Sequence, residues 1–399
     1  MPHVVQTEAL IAEGFLTKSQ GAEIARRSRE TMLALVVNVV LCGGIVAASL
    51  GFVFWIADAF GVALLGLAFL AAGIAVLARA GGLYRMLGHA ATLIGGGMLI
   101  AGAGIEIAEK AHDIADWALL ALGAVIAGAA TFAFRKGPEA LRFSVGALGL
   151  MGVAMHLAGL LLLVNAADSG LSGPVACLYA TALIAAAGFF TNVRAVTALA
   201  IVPFAQALET GTTYWHAAYV FYSPESTLTI LQMSLLIGAC LWAIRTFPER
   251  IARHAGILSV MAAVVGSLAF LVGTLWGDHV GLSFFRDHAP RYADYEDFAA
   301  YQKARDLYEN GFFHIGEHLY SVAFAIVLLT GAWFAAAANR RGLFNAAVTF
   351  LGIHAYTQMF ETFSDEPMVF ALGGLAAVPL AWGLWRLNTR MFGPDKATA

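Results

Sequence analysis

Four polar residues in the eleventh apolar segment of this chain, His354, Gln358, Glu361 and Asp365, follow one another at spacings of four, three and four. That spacing places them on one face of a helix. The tenth segment opens with His314, Glu317 and His318, the third closes with Glu106 and Glu109, and the seventh carries Gln206 and Glu209 just after Pro203. Ionisable groups inside an apolar helix are expensive to bury and mark candidate sites by default. Each group falls in the half of its segment assigned to the outer side. Glu106, Glu109, Gln206, Glu209, Glu317, His318, His354, Gln358 and Glu361 are therefore the candidate solute- or ion-binding residues. Carboxylates converging at one depth would line a mouth that concentrates cations.

Two sharper readings use the same residues. His314-x-x-Glu317-His318 matches the inverted zincin pattern, in which two histidines hold zinc and the glutamate acts as base. It makes His314 and His318 candidate metal ligands, and a membrane-embedded metal-dependent hydrolase an alternative function. Mid-segment His156 and His354 form a pair that would suit haem, although there is no CxxCH. No catalytic residue is assigned beyond these motifs and no cofactor is expected, because the chain has no Walker loop, Rossmann glycine pattern or GxSxG. The basic residues are scattered over loops, so nucleic acid is not a partner.

The elements that must hold these groups follow from composition. Of the 399 residues 60% are hydrophobic and 12% charged, and mean hydropathy is +0.76. A soluble domain is about one-quarter charged. Apolar runs of about 20 residues recur, each long enough to cross a bilayer as a helix. They are continuous rather than alternating, which excludes a β-barrel. Cys42, Cys177 and Cys240 all lie in such runs without CxxC spacing and read as packing residues.

Twelve spans are expected, near 32–56, 59–78, 86–107, 114–134, 141–164, 173–190, 194–210, 226–245, 253–276, 315–337, 343–361 and 367–387. The expected fold is thus an all-α polytopic bundle. Charge supports this count. Eighteen of the 23 basic residues fall on alternate connections, and only Lys110, Arg286, Arg291, Lys303 and Arg305 fall on the others. Positive charge is retained in the cytoplasm, so both termini are expected inside. A six-plus-six duplication would relate helices four to six with ten to twelve.

Two segments lie outside the spans. Residues 1–30 read as an amphipathic helical hairpin on the cytoplasmic face, with Thr17 and Gln20 at capping-box spacing. Residues 278–313 form the long outer loop. Within it Phe298, Tyr301, Arg305, Tyr308 and Phe312 recur at three and four, the signature of an amphipathic helix. Either segment would suit a protein partner.

Gly14-Phe15-Leu16-Thr17-x-x-Gln20-x-x-x-Ile24, followed by Gly43-Gly44-Ile45 and Phe54-Trp55-Ile56-Ala57-Asp58, resembles the start of an uncharacterised bacterial family of predicted polytopic inner-membrane proteins. The resemblance covers about 60 residues. It implies a multi-pass protein of the bacterial inner membrane and transfers no site residues.

Three functions fit: a transporter or channel for a small solute or cation, a non-catalytic membrane subunit or scaffold, or the hydrolase above. A cavity lined by Glu106, Glu209, Glu317 and Glu361 favours transport; a solid bundle in which they pair favours the scaffold. Glu317 and His318 are expected to face inward and meet His354, Gln358 and Glu361, giving a mouth that responds to pH between about 5 and 8.

Overall fold

The computed structural model describes residues 10–11, 13–56, 58–79, 84–166, 170–208, 225–363 and 366–392. Glu209, Asp365 and the expected continuation of the seventh segment to Tyr222 lie outside them. Among the described residues the fold is all-α apart from one two-stranded sheet. Among the described residues eight helices are long and apolar enough to cross a membrane, so the chain is an integral membrane protein in composition. The chain divides into two compact units, Met1–Gly170 and Leu171–Ala399. A six-plus-six duplication would divide it near residue 191, and it does not divide there.

The first unit contains α1 (Lys18–Ile56), α2 (Ala59–Arg79), α3 (Arg85–Lys110), α4 (Ala115–Lys136) and α5 (Arg142–Asn165). The capping box forms: Gln20 N–H donates to Thr17 Oγ1 at 3.3 Å, and Thr17 N–H to Gln20 Oε1 at 2.9 Å. The helix that follows runs without a break through residue 30, so the amphipathic segment and the first apolar run are one element. Helices α2 and α3 approach until their backbones touch. A Cβ on Gly95 would lie 2.3 Å from Leu70 N, and one on Gly66 2.4 Å from Leu99 N. With little hydrophobic drive between helices in lipid, such small-residue contact is what holds them together. The pair α4 and α5 uses the same device at Gly123 and Gly159. There the buried His156 donates from Nδ1 to Leu120 O at 2.7 Å.

The second unit contains α6 (Gly173–Thr191), α7 (Arg194–Leu199), α8 (Ile201–Gln206), α9 (Ser226–Thr246), α10 (Glu249–Trp276), β1 (Asp278–Val280), α11 (Phe298–Glu309), β2 (Phe313–Ile315), α12 (Glu317–Ala337), α13 (Arg341–Phe363) and α14 (Pro367–Phe392). The seventh apolar segment is split into α7 and α8 at Ala200. Pro203 explains the break, since proline has no N–H to offer the carbonyl four residues back. Strands β1 and β2 pair antiparallel, with Asp278 opposite Ile315, His279 opposite His314 and Val280 opposite Phe313. The sheet therefore ties the end of α10 to the start of α12.

This fixes the second unit's two ends. The starts of α9 and α12 and the end of α10 meet at the sheet, and this end carries Glu225, Asp278, Asp294, Asp297 and Glu317. The end of α9, the start of α10, the end of α12 and the start of α13 form the other. There stand Arg245, Arg250, Arg253, Arg340 and Arg341. Packing between the ends is apolar, around Ile201, Met233 and Val265 in one cluster and Phe324, Leu328 and Phe350 in another.

Candidate functional site

The sheet end of the second unit holds two buried carboxylates in a reciprocal exchange. Glu225 precedes α9 as its N-cap residue, but its carboxylate does not turn back onto that helix. It accepts from Gly281 N–H at 2.7 Å on Oε1 and from Ser283 N–H at 2.9 Å on Oε2. Asp278, from the segment that Glu225 holds, reaches α9 instead. Its Oδ2 accepts from Thr227 N–H at 2.7 Å, from the Thr227 hydroxyl, and from Tyr320 Oη at 3.1 Å. Thr227 Oγ1 and Tyr320 Oη are themselves 2.6 Å apart. Glu225 is 2% exposed and Asp278 3%.

Each contact has a local cause. The first N–H groups of a helix lack partners within it, and the helix dipole favours an anion there. Asp278 supplies both the acceptor and the charge. Gly277 makes the approach possible. It sits at φ 65°, and a Cβ there would meet Ile315 O at 2.6 Å and His314 Nε2 at 2.8 Å. The ring of Tyr320 lies against α10 where Gly273 leaves room, since a Cβ on Gly273 would come within 2.5 Å of that ring. A buried carboxylate without hydrogen bonds is heavily penalised. Oδ2 is amply supplied, whereas Oδ1, also buried, has no partner among the described residues.

The residues expected to form the mouth are placed differently. His318 is 97% exposed along its side chain and meets only its neighbour Glu317, at 3.9 Å. It therefore does not face the bundle interior, contrary to the expectation from its sequence position. Gln358 donates to Glu361 at 3.3 Å on the same exposed stretch of α13. Among the described residues no hydrogen bond or ion pair joins Glu317 or His318 to His354, Gln358 or Glu361. His354 does face α12, with Nε2 3.1 Å from Ser321 O and its ring edge-on to Phe324. Gln206 ends α8 and is partly buried. In the first unit Glu106 pairs with Lys110 one turn away, and Glu109 is exposed.

The zincin reading fails on geometry. It needs His314 and His318 one turn apart on a helix, but His314 lies on β2, its ring 4.6 Å from that of His279. Among the described residues no three His, Cys, Asp or Glu side chains group as metal ligands. His156 and His354 each spend a ring nitrogen on a backbone carbonyl of the adjacent helix, which is the behaviour of helix–helix glue.

Comparison with protein-family models, curated proteins and solved structures gives no match. The site is therefore read from its chemistry alone. Glu225 and Asp278 are not among the residues that helical spacing marks as candidates. A signal was nevertheless present: Pro224-Glu225-Ser226-Thr227 and Trp276-Gly277-Asp278 each put a carboxylate at the margin of an apolar run, the first followed by two hydroxyls and the second preceded by glycine.

Proposed function

We propose that this protein is a multi-pass protein of the bacterial inner membrane, with twelve spans and both termini cytoplasmic, that passes a small cation or proton through its second unit. The supporting observation is Asp278 Oδ1, a carboxylate oxygen buried at the head of a membrane bundle with no hydrogen-bond partner among the described residues. Such an oxygen takes a proton or meets a cation, and intramembrane carboxylates commonly serve ion pathways. The acidic end around it, taken as the outer mouth, raises the local cation concentration. The N-terminal amphipathic stretch, in this reading, rests on the cytoplasmic face.

The test is ion flux in proteoliposomes carrying the full chain. An imposed pH or potassium gradient should dissipate faster than in empty vesicles. Asp278→Asn, which retains an acceptor for Thr227 and Tyr320, should slow this by about tenfold, roughly 1.4 kcal/mol at the barrier. Glu361→Gln, on the exposed stretch of α13, should leave it unchanged. Wild-type vesicles no leakier than empty ones would remove the transport reading. The scaffold would then lead, and one observation already favours it: Glu106, Glu317 and Glu361 each engage a neighbour on their own helix.

A further inference from the structure

The second unit has a cavity of about 500 Å³ among α9, α10, α12 and α13. This lies within the range of small-molecule sites, about 300–1,000 Å³. Its wall is almost wholly apolar, with Met233, Phe270, Phe324 and Leu343 among the lining side chains. Thr330, one of its few hydroxyl groups, is satisfied by the carbonyls of Ile326 and Val327. The contents must therefore be hydrocarbon. At the rim stand Val327 and Trp333, 47% and 76% exposed, on the helix Glu317–Ala337 that is apolar enough to cross a membrane. The medium outside the rim is thus the interior of a bilayer.

The cavity reaches toward the basic end of the bundle. Leu241 on its wall precedes Arg245 by one helical turn, about 6 Å. Leu343 is two residues beyond Arg341, and Phe334 lies in the last turn of α12 before Arg340. Arginine forks match phosphate oxygens in pairs. Arg250 is already committed, donating to Phe189 O and lying over the Phe189 ring, and Arg253 pairs with Glu249 at 3.8 Å, which leaves the task to Arg245, Arg340 and Arg341.

We infer that this cavity is a site for one anionic phospholipid, an acyl chain entering sideways past Trp333 while the phosphate rests against Arg245, Arg340 and Arg341. A chain can enter this way without its headgroup leaving the interface. The inference is independent of the role proposed for Asp278, which stands at the opposite end of the same helices.

Native mass spectrometry of the full chain, delipidated in maltoside detergent, tests it with dioleoyl phosphatidylglycerol, dioleoyl phosphatidylcholine and oleate. One phosphatidylglycerol should bind saturably per chain, about tenfold more tightly than phosphatidylcholine. Gly331 lines the cavity with nothing within 4 Å of where its Cβ would be. Gly331→Leu should therefore fold with an unchanged melting temperature and weaken phosphatidylglycerol by about tenfold. Val327→Trp, at the rim, should do the same if the leucine variant expresses poorly. Gly352→Leu, equally unobstructed but away from the cavity, should bind as wild type. Arg341→Gln should bring phosphatidylglycerol to the level of phosphatidylcholine. Undiminished binding in both filled variants, equal binding of the two phospholipids to wild type, or oleate binding tighter than phosphatidylglycerol would overturn the site.

Discussion

Tyr320 shows how one side chain serves two environments. Its ring belongs to the apolar stack, edge-on to Phe270, which in turn lies parallel to Phe324 at 4.9 Å. Its hydroxyl belongs to the carboxylate cluster. Tyr320→Phe should keep the first and lose the second, lowering stability by about 1 kcal/mol, the net worth of a typical hydrogen bond. Gly273→Ala should cost more, about 1–3 kcal/mol, because the added methyl drives into the Tyr320 ring. Thermal melts of both variants in detergent would check the order; a Gly273→Ala melt equal to wild type would refute the close packing. These residue-level facts were the least legible in the sequence. Thr227 lies 51 residues from Asp278 and Tyr320 lies 93 from Thr227, and no local spacing encodes a contact across such a gap. Three of the cluster's five donors, moreover, are backbone N–H groups that no residue letter announces. The direction of His318 was hidden for another reason. Leu319, Val322 and Ile326 on the same helix are also exposed, so hydrophobicity runs all round α12 and does not mark which side is inward.

Elements were far easier to read. Among the described residues eleven of the twelve expected apolar segments each fall on one helix to within two residues, because length and hydropathy carry the signal without reference to partners; the seventh is broken into α7 and α8. The aromatic-faced helix materialises as α11, capped by Asp297, whose Oδ1 accepts from Ala300 N–H at 2.6 Å. Its aromatic face gathers Tyr292 and Tyr295 around Tyr301, while Tyr308 donates to Phe285 O. On the same face Arg305, one turn from Tyr301, pairs with Glu309, and that hydrogen bond holds the guanidinium pKa above its ordinary value. What escaped notice was the sheet, since three-residue strands show no periodicity, and with it the displacement of His314 from the helix. The α2–α3 contact gives a prediction at this scale. Gly95→Leu should force the two backbones apart and destabilise the first unit by several kcal/mol, more than the ~1–3 kcal/mol usual for overpacking, because the clash is with backbone. Gly44→Leu, where nothing lies within 4 Å, is the matched control. Comparable melting of the two variants would refute the argument.

For the molecule as a whole, the charge asymmetry of the sequence reappears in three dimensions. Arg245, Arg250, Arg253, Arg340 and Arg341 gather at one end of the second unit and the buried carboxylates Glu225 and Asp278 at the other, where the segment between the strands also carries Arg286, Arg291 and Arg305. The rule that retains basic residues in the cytoplasm then orients the unit. Reporter fusions at Pro138 and Asp294 should accordingly report opposite compartments. Both in the same compartment would require an odd change in the number of crossings between them. How many of the twelve apolar segments actually cross depends on this parity, and eight have the length and composition to do so unaided.

The exchange between Glu225 and Asp278 also sets a clock on synthesis. When Thr227 is added to the growing chain, the acceptor for its N–H is still 51 residues from being made. At 5–20 residues per second the interval is roughly 3–10 s. Throughout that time the head of α9 has neither its anion nor, until Tyr320 follows, its second hydroxyl. The segment that closes the helix is the one its own N-cap residue must grasp, so neither clasp precedes the other. A nascent chain halted between residues 246 and 278 would therefore hold α9 with an uncapped end, a state in which the insertion machinery can still reposition it.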